Sequence, residues 1–239
     1  MLSPKALAKL YLDGGLLARL RDANGDVWRR YIDHEFVQRL GDGSLPEPAF
    51  RRYLIQDYLF LIHFARAYAL AAYKGETLED IKSAMAGASA LVDTEMGLHV
   101  RFCAGWGLTE AEMATAAEDN ATLAYTRYVL ERGMAGDLLD LHIALAPCVL
   151  GYAEIGLALS TDPDTKRDNN PYNPWIDVYA GDEYQQVALE AAGGDILATG
   201  SRRCLIDLNG YFWGRIQRWI GCSPTMMVRA GCQLPIRKR

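Results

Sequence analysis

The stretch DLLDLHIALAPCVLGYAEIGLAL, residues 137–159, decides how the chain folds. Within it, the apolar helical run from Ala144 to Leu159 carries a proline, Pro147, directly before a cysteine, Cys148. Proline inside a helix removes one backbone hydrogen bond and presses its ring against the carbonyl four residues back, at a cost of about 3 kcal/mol. Such a cost is tolerated where a helix bends around something. Tyr152 follows one turn after Cys148 and faces the same side, so its phenol reaches toward whatever the thiol attacks. A cysteine taken alone is more often a small buried hydrophobe than a nucleophile, and the rest of the sequence has to decide between the two.

Outward from this stretch, apolar residues recur at helical spacing, and alternating strand-like runs bounded by turn dipeptides are absent. The pattern predicts helices over Ala6–Tyr31 (one or two), Phe50–Tyr73, Leu78–Cys103, a short one capped by Thr109 and Glu112, and Asn120–Arg132 ending at Gly133. Further on it predicts helices over Asp137–Leu159, Pro174–Tyr179, Glu183–Ala191 and Asp195–Ile220. Pro46 and Pro48 start the long second element, which sets Leu54, Tyr58, Leu61 and Ala65 on one stripe and Asp57, Phe60, Phe64 and Ala67 on the next. Short polar connections between long amphipathic helices imply an all-α antiparallel bundle.

With 239 residues, 50% of them hydrophobic, the chain can bury one large core and reads as a single domain over residues 1–239 with an atypical basic tail from about residue 214. No signal peptide and no apolar run of about 18 residues is found, so the expectation is a cytoplasmic protein with neither export nor membrane span. Five irregularly spaced cysteines give neither a disulfide framework nor a zinc pattern, and no metal or cofactor is expected. The net charge of −5 hides an asymmetry: from Arg202 onward there are eight Lys/Arg against one acidic residue, Asp207, and three cysteines, Cys204, Cys222 and Cys232. Without stacking aromatics or a binding module, that end is read as a solvated tail and not as a nucleic-acid surface.

Four fragments on different helices set polar or aromatic side chains in apolar stripes: Gln56-Asp57-Tyr58-Leu59-Phe60, Ala124-Tyr125-Thr126, Ala146-Pro147-Cys148 with Tyr152, and Tyr172 before Trp175-Ile176. In a bundle they converge only in the core. Together with Trp28…Tyr31…His34…Phe36-Val37 and Phe212-Trp213, they resemble the TenA family, the thiaminase II or aminopyrimidine aminohydrolase proteins with a heme-oxygenase-like helical bundle. The resemblance covers about residues 6–213 and rests on the order and spacing of motifs that are individually short.

The resemblance implies a thiamin-salvage hydrolase acting at the exocyclic methylene of a 4-amino-2-methylpyrimidine. Cys148 corresponds to the nucleophile that adds to the ring carbon beside the one bearing the methylene, and Asp57 to the carboxylate that holds the ring nitrogen and amino group. Tyr125, Tyr152 and Tyr172 match tyrosines that line the pocket; Phe60 sits where many members have tyrosine. Asn209 and Phe212 complete the expected binding set. The chemistry is sensible in its own terms, since an electron-poor heteroaromatic ring suits aromatic walls, a carboxylate for its amidine-like edge and a soft nucleophile. One departure stands out: the family places a catalytic glutamate four residues before the tryptophan of its final Phe-Trp pair, where this chain has Asn209. An amide cannot transfer a proton, and Asp207 lies about 200° around the helix from it. A pyrimidine-binding protein with weak or altered catalysis is therefore the alternative reading.

Other polar residues receive blander readings. Glu95 and His99, one turn apart, could be half of a carboxylate–histidine metal site, with Glu154 also available, but no histidine follows His142, and an internal hydrogen-bonded Glu–His pair is expected instead. His63 is read as a satisfied core histidine, His34 as structural, and Trp28 and Trp213 as core or subunit contact. Trp106, Trp175, Tyr179 and Tyr184 are read as surplus aromatic surface at an interface, consistent with the homotetramer typical of the family that the chain resembles. The one ligand expected is a small aminopyrimidine or thiamin-related molecule.

Overall fold

Pro46 and Pro48 set the start of the longest helix, since a first-turn proline has no intrahelical bond to lose. In the computed structural model, which describes residues 16–193, this helix runs from Glu47 to Lys74 with Pro46 as its N-cap, and it stops at Gly75. Numbered in chain order, the helices are α1 (Leu16–Ala23), α2 (Gly25–Ile32), α3 (Glu35–Gly41), α4 (Glu47–Lys74), α5 (Leu78–Ser89), α6 (Met96–Ala104), α7 (Glu110–Ala114), α8 (Asn120–Ala135), α9 (Leu138–Thr161), α10 (Asn173–Ala180) and α11 (Asp182–Gly193). A π-helical turn, Ala90–Glu95, joins α5 to α6. The described residues contain no strand, as the sequence pattern predicts.

Helices α4 and α9 form the centre. α4 packs on α5, the π turn, α6, α8 and α9, while α9 also takes α2, α8, α10 and α11. Asp137 starts α9 with a capping box: its side chain accepts from the Asp140 amide, and Asp140 accepts in return from the Asp137 amide. α9 is long and apolar enough to cross a membrane, yet 78% of its most apolar window is buried inside the protein, as in a core helix. Leu141, Ile143, Ala144, Leu150, Ala153 and Ile155 supply that core.

Several boundaries differ from the sequence reading. α3 had no counterpart there; its cap is His34, whose Nδ1 accepts from the Phe36 amide, which gives the expected structural role a form. The helix expected over Leu78–Cys103 is continuous but passes through the π turn. α8 runs past Gly133 to Ala135, because a Cβ at Gly133 would lie 2.8 Å from both Leu70 and Leu141: glycine there serves close packing with α4 and α9 and does not end the helix. His63 is not a core histidine; it lies half-buried in a surface cluster with Glu118 and Arg127. Trp28 is buried, and its indole N–H donates to Glu154 at 2.8 Å. Trp175 and Tyr179 are buried within the chain and so are not spare interface surface, whereas Trp106 and Tyr184 are partly exposed. The helix expected over Asp195–Ile220 and the basic tail lie outside the described residues.

Candidate active site

The spacing of two sequence pairs builds the site. Asp57 and Phe60 share one face of α4, and Cys148 and Tyr152 share one face of α9, three and four residues apart as helical neighbours must be. With Tyr31 from α2, Tyr125 from α8 and Pro147, they line one small, partly open pocket. Phe60 and Tyr125 lie parallel, ring centroids 5.5 Å apart and planes 6° apart, and form an aromatic wall.

Two tyrosines fasten α9 in the turn that leads to the thiol. Tyr125 donates its hydroxyl to the Ala144 carbonyl at 3.1 Å, and Tyr31 donates to the Pro147 carbonyl at 3.3 Å. Tyr31 comes this close because residue 151 is glycine: a Cβ there would stand 2.2 Å from the Tyr31 ring.

Asp57 is buried, and both of its oxygens accept hydrogen bonds. Its Oδ2 lies 2.7 Å from His99 Nε2 and accepts from the Tyr53 hydroxyl at 3.1 Å; its Oδ1 accepts from the Tyr152 hydroxyl at 3.3 Å. The Tyr53 oxygen in turn accepts from the Trp175 indole at 3.2 Å. His99 is 1% exposed, and its Nδ1 lies 2.9 Å from the Glu95 main-chain carbonyl. The side chain of Glu95 turns instead to Tyr179, whose hydroxyl donates to it at 3.0 Å. The expected Glu95–His99 pair is thus replaced: the imidazole takes the backbone of Glu95 and the carboxylate of Asp57.

These surroundings act on the ionisable groups. Burial pushes the Cys148 thiol well above its ordinary value, and the nearby charges of Asp57 and Glu95 push it further, so the resting group is a thiol and not a thiolate. Burial, followed by the charge of Asp57, raises Glu95 to about 7. Burial disfavours a charged His99, but the hydrogen bond and charge of Asp57 outweigh it and raise the imidazole. Tyr31, Tyr125 and Tyr152 are raised chiefly by burial and stay neutral. Among the described residues no cluster of three or more acidic, histidine or cysteine side chains is set up to hold a metal ion.

Of the residues selected from sequence, Cys148, Asp57, Phe60, Tyr125 and Tyr152 meet at the cavity. Tyr172 does not line it. As the N-cap of α10 it packs on Phe50, centroids 4.7 Å apart, and donates its hydroxyl to the Leu45 carbonyl. Asn209 and Phe212 lie outside the described residues. Sequence reasoning left Tyr31, Tyr53 and His99 out of the site and took Tyr179 for surface. A helical signal existed for Tyr179, which sits one turn after Trp175 and packs on both Trp175 (4.5 Å) and Tyr152 (4.8 Å).

Comparison with known proteins places this geometry. The profile of the TENA/THI-4/PQQC family matches residues 21–194. The chain is 44% identical over 163 residues to an uncharacterized protein of Haemophilus influenzae, covering 68% of this chain and 75% of that one. It is 37% identical over 171 residues to an aminopyrimidine aminohydrolase of Halalkalibacterium halodurans, covering 72% and 76%. The crystal structure of a TenA family transcription regulator from a Silicibacter species superposes with a TM-score of 0.77 at 41% identity, covering 87% of this chain and 94% of that one. The architecture is the all-α, heme-oxygenase-like fold expected from the sequence. A cysteine, a carboxylate and aromatic walls meeting between α4 and α9 thus occur in a chain that belongs to the TENA/THI-4/PQQC family, the TenA proteins.

Proposed function

We propose that the protein is a hydrolase of aminopyrimidines, exchanging the amine on an exocyclic methylene for hydroxyl, with Cys148 as nucleophile and Asp57 as anchor. The observation that carries this reading is the meeting of Cys148, Asp57 and the Phe60–Tyr125 wall around one cavity. The naming of the Halalkalibacterium relative as an aminopyrimidine aminohydrolase supports it.

The pyrimidine stacks on the aromatic wall, and its amino edge donates to Asp57. The Cys148 sulfur then bonds to the ring carbon beside the one bearing the methylene, and the displaced electron pair expels the amine with a proton. Water adds to the methylene, the carbon–sulfur bond breaks, and the aromatic ring is restored with the thiol reprotonated. The net change is aminomethyl plus water to hydroxymethyl plus ammonia. A substrate edge that donates to Asp57 also offsets the negative charge holding the thiol protonated, so binding favours thiolate formation.

A second reading, a pyrimidine-binding protein with weak or altered catalysis, draws on the same thiol: burial above all, and the carboxyl groups of Asp57 and Glu95 after it, oppose its ionisation, and the resemblance sets Asn209 where the family has glutamate. Mass spectrometry with 4-amino-5-aminomethyl-2-methylpyrimidine separates the two. Hydroxymethyl product from the wild type, lost by more than about 100-fold in Cys148→Ser, is expected for the hydrolase. Micromolar binding by calorimetry without product, with turnover gained in Asn209→Glu, would establish the binder. An unchanged rate in Cys148→Ser would remove the cysteine from the chemistry.

A further inference from the structure

His99 has no assigned role, yet it is among the most completely buried polar residues of the described chain and the nearest neighbour in the Asp57 network. Its two ring nitrogens are constrained independently. The Glu95 main-chain carbonyl can only accept, so Nδ1, 2.9 Å away, carries a hydrogen. That fixes the ring and leaves Nε2 facing Asp57 Oδ2 at 2.7 Å, a distance that needs one proton between them.

Where that proton rests follows from the other bonds to the carboxyl group. Oδ2 also accepts from Tyr53 and Oδ1 accepts from Tyr152, so each of these neighbours meets the carboxyl group as a donor and none accepts a hydrogen from it. The proton therefore belongs to the imidazole, and the pair is a buried imidazolium–carboxylate. The titratable groups gathered around it are Tyr53 from α4, Glu95 from the π turn, Cys148 and Tyr152 from α9, and Tyr179 from α10. The phenols and the thiol stay neutral through burial, which leaves Glu95 as the other group able to change charge.

We propose that His99 is a positioning residue that carries the counter-charge of Asp57, so that the cavity meets Asp57 Oδ1 as a hydrogen-bond acceptor within a neutral pair and selects a ring edge that donates, an exocyclic amino group or a protonated ring nitrogen. Two of the three hydrogen bonds to Asp57 fall on Oδ2, on the side of His99 and Tyr53; Oδ1, shared with Tyr152 of the cavity lining, is the oxygen through which a ligand is read. Selection against an oxo-pyrimidine follows, since a carbonyl facing an acceptor has no bond to make and is desolvated for nothing. The ligand class rests on the aminopyrimidine reading above, whereas the charge state of His99 does not.

The two parts are tested separately. Imidazole nitrogen NMR on the full chain without ligand reads His99 directly: two protonated nitrogens at pH 7, persisting above the range of an ordinary histidine, are expected, and a neutral imidazole at pH 7 overturns the proposal even if the enzyme is active. In His99→Asn and His99→Gln, a buried carboxylate stripped of its counter-charge takes up a proton as the pH falls. KM for the aminomethyl-pyrimidine should then rise by about tenfold between pH 8 and pH 6 while kcat changes less, a slope absent from the wild type. Parallel KM profiles in wild type and variants would defeat the positioning role. If neither variant folds, the nitrogen spectrum of the wild type decides. Absence of product from the wild type with an imidazolium signature intact counts against the hydrolase reading and not against His99.

Discussion

Asp57 and His99 stand 42 residues apart in the chain and 2.7 Å apart in the fold, the imidazole bridging α6 to α4 behind the cavity. The folded state raises the affinity of His99 for a proton, so the stability it lends is fully present below the ordinary histidine value of 6.5 and is lost as the pH rises through the higher folded value. Asp57→Asn removes the cause. The decline in thermal stability of the wild type from pH 6.5 toward alkaline pH should be shallower in this variant, as calorimetry across that range would show.

Glu95 acts in a neighbouring window. Its folded value near 7 lies above the ordinary 4.5, so the folded state keeps a proton that the unfolded chain gives up, and stability falls as the pH climbs from 4.5 through 7. Glu95→Gln keeps an acceptor for the Tyr179 hydroxyl and cannot ionise. The variant should gain stability relative to the wild type at pH 8 and show no such gain at pH 4.5. Equal offsets at both would mean that Glu95 does not titrate in this range.

Cys148 should be a slow thiol. Because burial and two nearby carboxylates hold it protonated, its alkylation by iodoacetamide at pH 7.5 should run at least about tenfold slower than that of free cysteine. Peptide mapping by mass spectrometry gives the site-specific rate. A rate at or above that of the free amino acid would show an ionised resting thiol.

Gly151→Ala drives a methyl group into the Tyr31 ring. Overpacking of this kind costs about 1–3 kcal/mol. Pairing it with Tyr31→Ala, which clears the obstruction, should make the double variant lose less than the sum of the single losses in urea denaturation. Strict additivity would show that α9 and α2 do not meet as described.

Tyr172→Phe separates a structural tyrosine from a site tyrosine. The hydroxyl bound to the Leu45 carbonyl is buried, so its removal should cost about 1 kcal/mol of stability and leave kcat/KM within about twofold. A large kinetic loss with unchanged stability would return Tyr172 to the substrate.

The fold was readable because its information is periodic. Pro46, Pro48, Gly75 and the Asp137 capping box mark helix ends through chemistry confined to a few residues, and Asp57–Phe60 and Cys148–Tyr152 are pairs that helical geometry alone puts on one face. The site was readable to that depth. What sequence spacing misrepresents is direction across the bundle: Glu95 and His99 have the spacing of a pair, but their side chains diverge to Tyr179 and Asp57, which come from other helices. Tyr172 failed for a related reason, since the few residues separating it from Trp175 and Tyr179 include the start of α10 and carry it toward Leu45 instead of the cavity. Gly133 reads as a stop only if the leucines of α4 and α9 that press on it are left out.

The bonds that shape the cavity also set when it comes into being. Tyr31 meets Pro147 across 116 residues, Trp28 meets Glu154 across 126, and Tyr53 meets Trp175 across 122. A chain emerging from the ribosome at about 5–20 residues per second therefore carries Tyr31 and Asp57 for seconds before their partners exist. Cys148 in turn is synthesised before α10 and α11, which pack on α9, so until they dock its thiol is more exposed than in the finished fold. Nascent-chain capture that labels exposed thiols should find Cys148 labelled faster before α10 has docked than after.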